Sequence, residues 1–286
     1  MPLDMITLEN ELVLARIADY LIRHPRAITK QDVESLCGVS HEYAMALLLF
    51  SMCGFDMEES SHRTLFHQCF LPAIKQLDPA VIEQDAFMQL HFPEAIQGDW
   101  QYTRLTYAAF ELFARDDMDI APNGRIRPAL GFFDREVSYP AVLQNGREWM
   151  TVTPNEIATM RTPISRAFGR AVTYGLGLGY YAFHAGNQPS VTSLTIVEKD
   201  EKAISLFEKH LLPQFPNKSK ITIVQDDAFH HAEKHLPGGG FDHVFTDLWH
   251  DAGDGMELYL RMKDIEQKCS GTRFDYWIEK TLKCYL

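Results

Sequence analysis

The sequence predicts an α/β fold: a mostly parallel sheet flanked by helices, with a preceding β-hairpin region and an α-helical N-terminal domain. Three observations predict it. Residues 171–200, AVTYGLGLGYYAFHAGNQPSVTSLTIVEKD, read as strand, glycine turn, helix and strand. Apolar runs then alternate with helical patterns, each run closing on an acid, and repeated βα units imply a parallel sheet. The chain as far as Arg115 carries helical periodicity instead.

At 286 residues the chain is long enough for two domains. A run of turn residues, DIAPNGRIRP, sets the division: an α-helical domain over 1–120, then a hairpin lead-in and sheet domain over 121–286. A formal charge of −12 opposes broad attraction to a phosphate backbone, so no nucleic acid partner is expected. No apolar run approaches the roughly 18 residues of a membrane helix. The opening MPLDMITLENE has acids and no basic region, against a secretory leader. A cytoplasmic location and a small-molecule substrate are expected. The five cysteines, Cys37, Cys53, Cys69, Cys269 and Cys284, are scattered without CxxC spacing, which reads as reduced thiols.

Taken in order, Thr7 to His24 carries one apolar stripe and stops before Pro25. Thr29 and Ser40 stand as N-caps of two further helices, the first ended by Gly38 and the second reaching Cys53. Helix, glycine turn and helix make a helix-turn-helix or winged-helix-like unit. Its second helix, HEYAMALLLFSMC, has no Lys or Arg to set against bases and phosphates. Packing or homodimerisation is therefore the expectation. Glu58 to Arg115 reads as further helix, with Tyr102, Tyr107, Phe110 and Phe113 as a core stripe. Beyond the division, Asn145-Gly146 between extended runs signals a hairpin, and NEIATMRTPISRAFG a helix leading into the glycine strand. HHAEKH, with His230, His231 and His235, reads as an exposed helix face, and no metal is expected.

Gly175, Gly177 and Gly179 let the backbone turn sharply and approach a ligand, and the next helix presents unpaired N–H groups. Glu198, about 20 residues on, stands where such folds place an acid on a ribose. Gly175, Glu198, Asp226/Asp227 and Asp247 occupy four strand ends, where parallel sheets carry ligand chemistry.

In GLGLG, VEKD, VQDDAF and FDHVFTD, in that order, residues 171–259 resemble the class I S-adenosylmethionine-dependent methyltransferases, whose sheet is Rossmann-like. The resemblance implies S-adenosyl-L-methionine as cofactor, held by Tyr174, Gly175, Gly177, Gly179, Glu198, Lys199, Asp226, Asp227 and Ala228. Glu198 would take the ribose hydroxyls and Asp226 or Asp227 the adenine amino group. A nicotinamide dinucleotide is the rival, since Gly177 to Ala182 also matches GxGxxA. The position behind a helical domain and the Asp-Asp at the next strand end speak against it.

The stretch LQNGREWMTVTPNEIATMRTPISRAFGRAVTYGLGLG is similar to the spermidine-synthase subgroup, and TDLWHDAGDG to its TDSSDP loop. That likeness makes Asp247 the acid that deprotonates an attacking amine, with Asp251 one position out of register. His250 is a further proton acceptor, its ordinary pKa near 6.5 suiting the task; Tyr139 and Tyr180 are others. The glycine loop departs from the subgroup's GGGDGG, having Leu178-Gly179-Tyr180 where an acid would stand. Methyl transfer to a small molecule is the first expectation, aminopropyl or aminocarboxypropyl transfer the second, and a non-catalytic nucleotide sensor the third. The short stretch after FDYWI, without room for the terminal β-hairpin of many methyltransferases, keeps the third open.

Overall fold

The computed structural model describes residues 3–286. The chain forms two compact units: residues up to Val81 with Thr106–Ser138 and Leu286, and Ile82–Leu105 with Tyr139–Tyr285. The division therefore does not fall at residue 120 alone, because a segment on each side of it is exchanged between the units.

The first unit begins with the helices Leu3–Arg23, Lys30–Ser35 and His41–Met52. Thr29 closes a capping box with Asp32, and the Ser40 side chain accepts from the Tyr43 N–H. Leu49 and Phe50 are buried and Leu47 and Leu48 half-buried, so the apolar run packs within its own unit. Helix Ser60–Leu65 continues into the π-helical turn Phe66–Phe70, where the Leu71 N–H reaches back to Phe66 at 2.9 Å. Phe50 meets Phe55, Phe66 and Phe70 at ring-centre distances of 5.1–5.3 Å.

Beyond Phe70 the structure departs from the helical expectation for Glu58 to Arg115. Ile74–Gln76, Leu130–Phe132 and Phe113–Ala114 form a small sheet, and Trp100–Tyr107 is a strand paired with Ala95–Gln97 around Gly98. The reason is alternation: Trp100 and Tyr102 point to one buried side with Gln101 and Thr103 less covered between them, a period of two rather than 3.6. Of the expected core stripe, Tyr102, Phe110 and Phe113 are buried and Tyr107 is half-buried; they come from strand and loop, with Tyr102 in the second unit and the others in the first.

In the second unit, Val137–Gln144 and Arg147–Thr151 form the hairpin, with Asn145 and Gly146 at φ of 52° and 75°. Helix Pro154–Arg166 leads into five parallel strands: Gly169–Tyr174, Val191–Glu198, Ile221–Gln225, His243–Thr246 and Arg273–Tyr276. Their spatial order is third, second, first, fourth, fifth, so the sheet reverses direction of growth at Gly169–Tyr174. This is a Rossmann-like α/β sheet, with its switch point at the glycine strand. Helices Tyr180–Gly186, Glu201–His210, Ala228–His235 and Ala252–Glu266 join the strands.

Two buried histidines beside the sheet are paired. Buried His243 lies 3.1 Å from the Tyr181 hydroxyl and 3.0 Å from Asp275, whose other oxygen meets Arg166 at 3.0 Å. His231 is also buried, 3.2 Å from the Tyr174 hydroxyl, so the HHAEKH helix does not turn that histidine to solvent. Among the described residues no helix is long and apolar enough to cross a membrane, and no cluster of three metal-ligating side chains forms.

Candidate active site

One step beyond each strand, or on its last residue, stand Gly175, Glu198, Asp226, Asp247 and Trp277, all on the wall of one cavity of about 470 Å³. In-register parallel pairing brings them to one edge: Tyr174 lies beside Val197 and Thr246, Glu198 beside Gln225, and Thr246 beside Tyr276. The hairpin strand closes another side with Glu148, Trp149, Met150 and Thr151, and the helix after it contributes Glu156.

The glycine turn forms the floor. Gly175 has φ of 99°, and a side chain there would run into the Asp247 carbonyl oxygen. Gly177, at φ of 52°, faces the Met150 sulfur, which also accepts from the Leu178 N–H at 3.0 Å. Only glycine permits both the left-handed backbone and these close approaches. Gly179 lies outside the cavity; it packs against Phe207 and Phe215, so its contribution is to the helix start rather than to a ligand.

Glu198 is fixed by two backbone donors: Leu176 N–H to Oε2 at 3.3 Å and Asp200 N–H to Oε1 at 2.9 Å. Burial raises its pKa, and these N–H groups act in the opposite direction. Asp226 accepts from His230 at 2.8 Å and is held below the usual carboxylate range by that contact. Asp227 caps helix Ala228–His235 through Phe229 and His230, both at 3.0 Å. Both acids line the cavity, as do Lys199, Ala228 and Phe229, with the Arg261 guanidinium 3.9 Å above the Phe229 ring.

At the fourth strand end, burial pushes the half-buried Asp247 carboxyl up to about 7. Glu156 is shifted the same way, first by burial and then by the charge of Asp247, with Trp277 opposing. Its Oε2 is buried without a hydrogen-bond partner among the described residues. Two carboxylates sharing a dry site cannot both ionise freely, so they titrate as a pair. This coupling was not legible in the sequence, where Glu156 reads as an ordinary first-turn helix acid.

The coupling carries a stability prediction. Both folded pKa values lie above those of the unfolded chain, so the folded state binds more protons, and stability falls as pH rises from about 4 through 7. Glu156→Gln removes one charge from the pair. It is expected to stabilise the protein by about 1–4 kcal/mol above pH 7, with the gain shrinking toward pH 4. Thermal melts of both proteins across pH 4–8 check this; equal melting temperatures at pH 8 would contradict it.

Four sequence-predicted side chains do not line this cavity. Asp251 is exposed and caps helix Ala252–Glu266, accepting from Gly253 N–H at 2.6 Å and Asp254 N–H at 3.3 Å. The Tyr174 side chain is fully buried on His231, away from the cavity; its carbonyl accepts from Asp247 N–H at 2.9 Å. Tyr180 gives its hydroxyl to Asp85 at 2.8 Å, while His184 meets the other Asp85 oxygen at 3.0 Å. Tyr139 is buried and does not line the cavity. His250 does line it, edge-on to Trp149 at 4.4 Å, with Nδ1 2.8 Å from Asp254.

No protein-family model matches the chain, and no curated protein matches it. Solved structures give partial matches. A precorrin 8w decarboxylase from Methanobacterium thermoautotrophicum has a TM-score of 0.29 and 22% identity, covering 38% of this chain and 53% of that one. The spermidine synthase from Thermotoga maritima has a TM-score of 0.35 and 15% identity, covering 51% and 54%. A spermidine synthase in complex with the transition-state analogue AdoDATO has a TM-score of 0.33 and 17% identity, covering 44% and 45%. The matched region thus spans about half the length of these structures.

Proposed function

We propose that the protein is an S-adenosylmethionine-dependent transferase acting on a small molecule, with methyl transfer as the reaction. The charge of the cavity carries this reading. Glu148, Glu156, Glu198, Asp226, Asp227 and Asp247 line it, against Lys199 and Arg261. Arg261 is engaged by the Phe229 ring and by Glu233 at 3.2 Å. Such a wall favours a cationic sulfonium and repels the pyrophosphate of a dinucleotide. A pyrophosphate also needs an open helix N-terminus, and here Gly179 is packed against aromatic rings.

The residues fit the cofactor. Glu198 would accept from the ribose hydroxyls and Asp226 from the adenine amino group, with Ala228 and Phe229 against the ring. Gly175 and Gly177 bring bare backbone to the cavity, at positive φ and where a Cβ would collide with the Asp247 carbonyl or the Met150 side chain. When bound, S-adenosylmethionine supplies a carbon activated by the sulfonium. Asp247 holds or takes the proton of the acceptor, and Trp149 and Trp249 keep water from it. Aminopropyl transfer is the second reading, favoured by the unpartnered acid Glu156.

Calorimetric titration with S-adenosylmethionine, its decarboxylated form and NAD tests the proposal. Micromolar binding of a sulfonium form is expected, with NAD failing to bind. Glu198→Ala should weaken that binding by about tenfold to a hundredfold, from the loss of charge-assisted hydrogen bonds. Binding of NAD alone would overturn the reading.

A further inference from the structure

Glu156 is an acid, nearly buried and unused by the reaction as described. It is 8% exposed, sits in the first turn of helix Pro154–Arg166, and lines the cavity with Oε2 unpartnered among the described residues. Taking a carboxylate from water is costly; Trp277 offsets part of that cost, and Oε2 still calls for a group that carries a proton or a positive charge. Asp247 lines the same cavity and acts on Glu156 directly. The cations and donors around the pair do not neutralise it: Lys199 and Arg161 are exposed, Arg261 lies on the Phe229 ring and meets Glu233, His250 is paired with Asp254, Tyr180 hydrogen-bonds to Asp85, and the Trp277 Nε1–H goes to Thr159, while Glu148, Glu198, Asp226 and Asp227 are acids.

We propose that Glu156 and Asp247 form a cation site that shares one proton in the free protein and exchanges it for the protonated amine of a bound ligand. The charge balances: one ammonium enters, one proton leaves to solvent, and the pair passes from singly to doubly ionised. An alkylammonium brings three donors, enough for Glu156 Oε2 and the Asp247 carboxylate together, whereas an alcohol brings one donor and no charge. The amine can belong to the acceptor or to the aminopropyl arm of a decarboxylated cofactor. Its place beside a transferred group rests on the transferase reading; the cation site does not.

The test is titration at pH 7 with n-butylamine, 1,4-diaminobutane and butan-1-ol, each with 5′-methylthioadenosine present, and separately with decarboxylated and intact S-adenosylmethionine. Running each in two buffers of different ionisation enthalpy counts the protons released. Amines are expected to bind at least tenfold tighter than the alcohol with release of about one proton, and Glu156→Gln to lose both the preference and the release. Dependence on Glu156 for the free amines assigns the nitrogen to the acceptor; dependence only for the decarboxylated cofactor assigns it to the cofactor. Equal binding of butylamine and butanol together with no Glu156-dependent preference for the decarboxylated cofactor would overturn the proposal. So would an unchanged Glu156→Gln variant, whose fold is verified by its melt. If 5′-methylthioadenosine fails to bind while amines still release a proton through Glu156, the transferase reading falls and the cation site stands.

Discussion

Asp247→Asn is expected to lower kcat by about 10²–10⁴-fold while leaving cofactor affinity within about twofold. The carboxyl stands at the end of the fourth strand, its N–H bound to the Tyr174 carbonyl at 2.9 Å. That bond locks the residue to the central glycine strand. With a pKa raised to about 7 by burial, it can hold a proton below neutrality and accept one above it. Asparagine keeps the shape and cannot take the proton. The wild-type rate should therefore rise through about pH 7 and the variant's should stay flat over the same range. Glu198, which would hold the ribose, ends a strand on the far side of the glycine strand and keeps both its backbone donors. Normal turnover by the variant would remove Asp247 as base. Lost turnover with intact cofactor binding would discard a purely sensing role for the cavity.

What the sequence disclosed follows from how local each signal is. The glycine turn, the Asn145-Gly146 hairpin and the Thr29 and Ser40 caps depend on neighbouring residues, and each stands where the pattern placed it. Strand-end acids were legible because a parallel sheet gathers its C-terminal ends whatever the intervening loops. Side-chain direction was less so. Tyr174 and Gly175 are adjacent, yet strand alternation buries the Tyr174 ring and leaves Gly175 on the cavity. Asp251 and Asp247 share one loop motif, but Asp251 has backbone donors three residues away and is consumed as a cap. Glu156, Trp149 and Trp277 come from three separate elements, so no spacing in the chain announces them. An acid at the first turn of a helix has a sufficient local explanation in the helix dipole, and its meeting with Asp247 exists only after folding. The aromatic stretch after Gln101 misled for another reason: the two three-residue spacings from Tyr107 through Phe110 to Phe113 satisfied the helical template, while the alternation at Trp100 and Tyr102 that decides the strand is shorter and weaker.

Gly175→Ala joins these two levels, because the glycine turn is packed on the backbone of Asp247, the residue proposed as the base. At φ of 99° an alanine is strained before any contact is counted. Its Cβ would then collide with the Asp247 carbonyl oxygen, a backbone atom that no rotamer change can move. Either the turn or the end of strand His243–Thr246 has to shift, and both form walls of the cavity. The expected cost is roughly 3–5 kcal/mol of stability, at the upper end for single substitutions. Where the variant still folds, affinity for S-adenosylmethionine and turnover should fall together, unlike the turnover-only loss in Asp247→Asn. Gly146→Ala is the control: its φ of 75° imposes similar backbone strain, but nothing lies within 4 Å of the added carbon. It should cost about 1–2 kcal/mol and leave binding intact. Denaturant melts and calorimetry on the two variants separate strain from collision. Equal losses in both would mean that the contact between the glycine turn and Asp247 contributes nothing to the site.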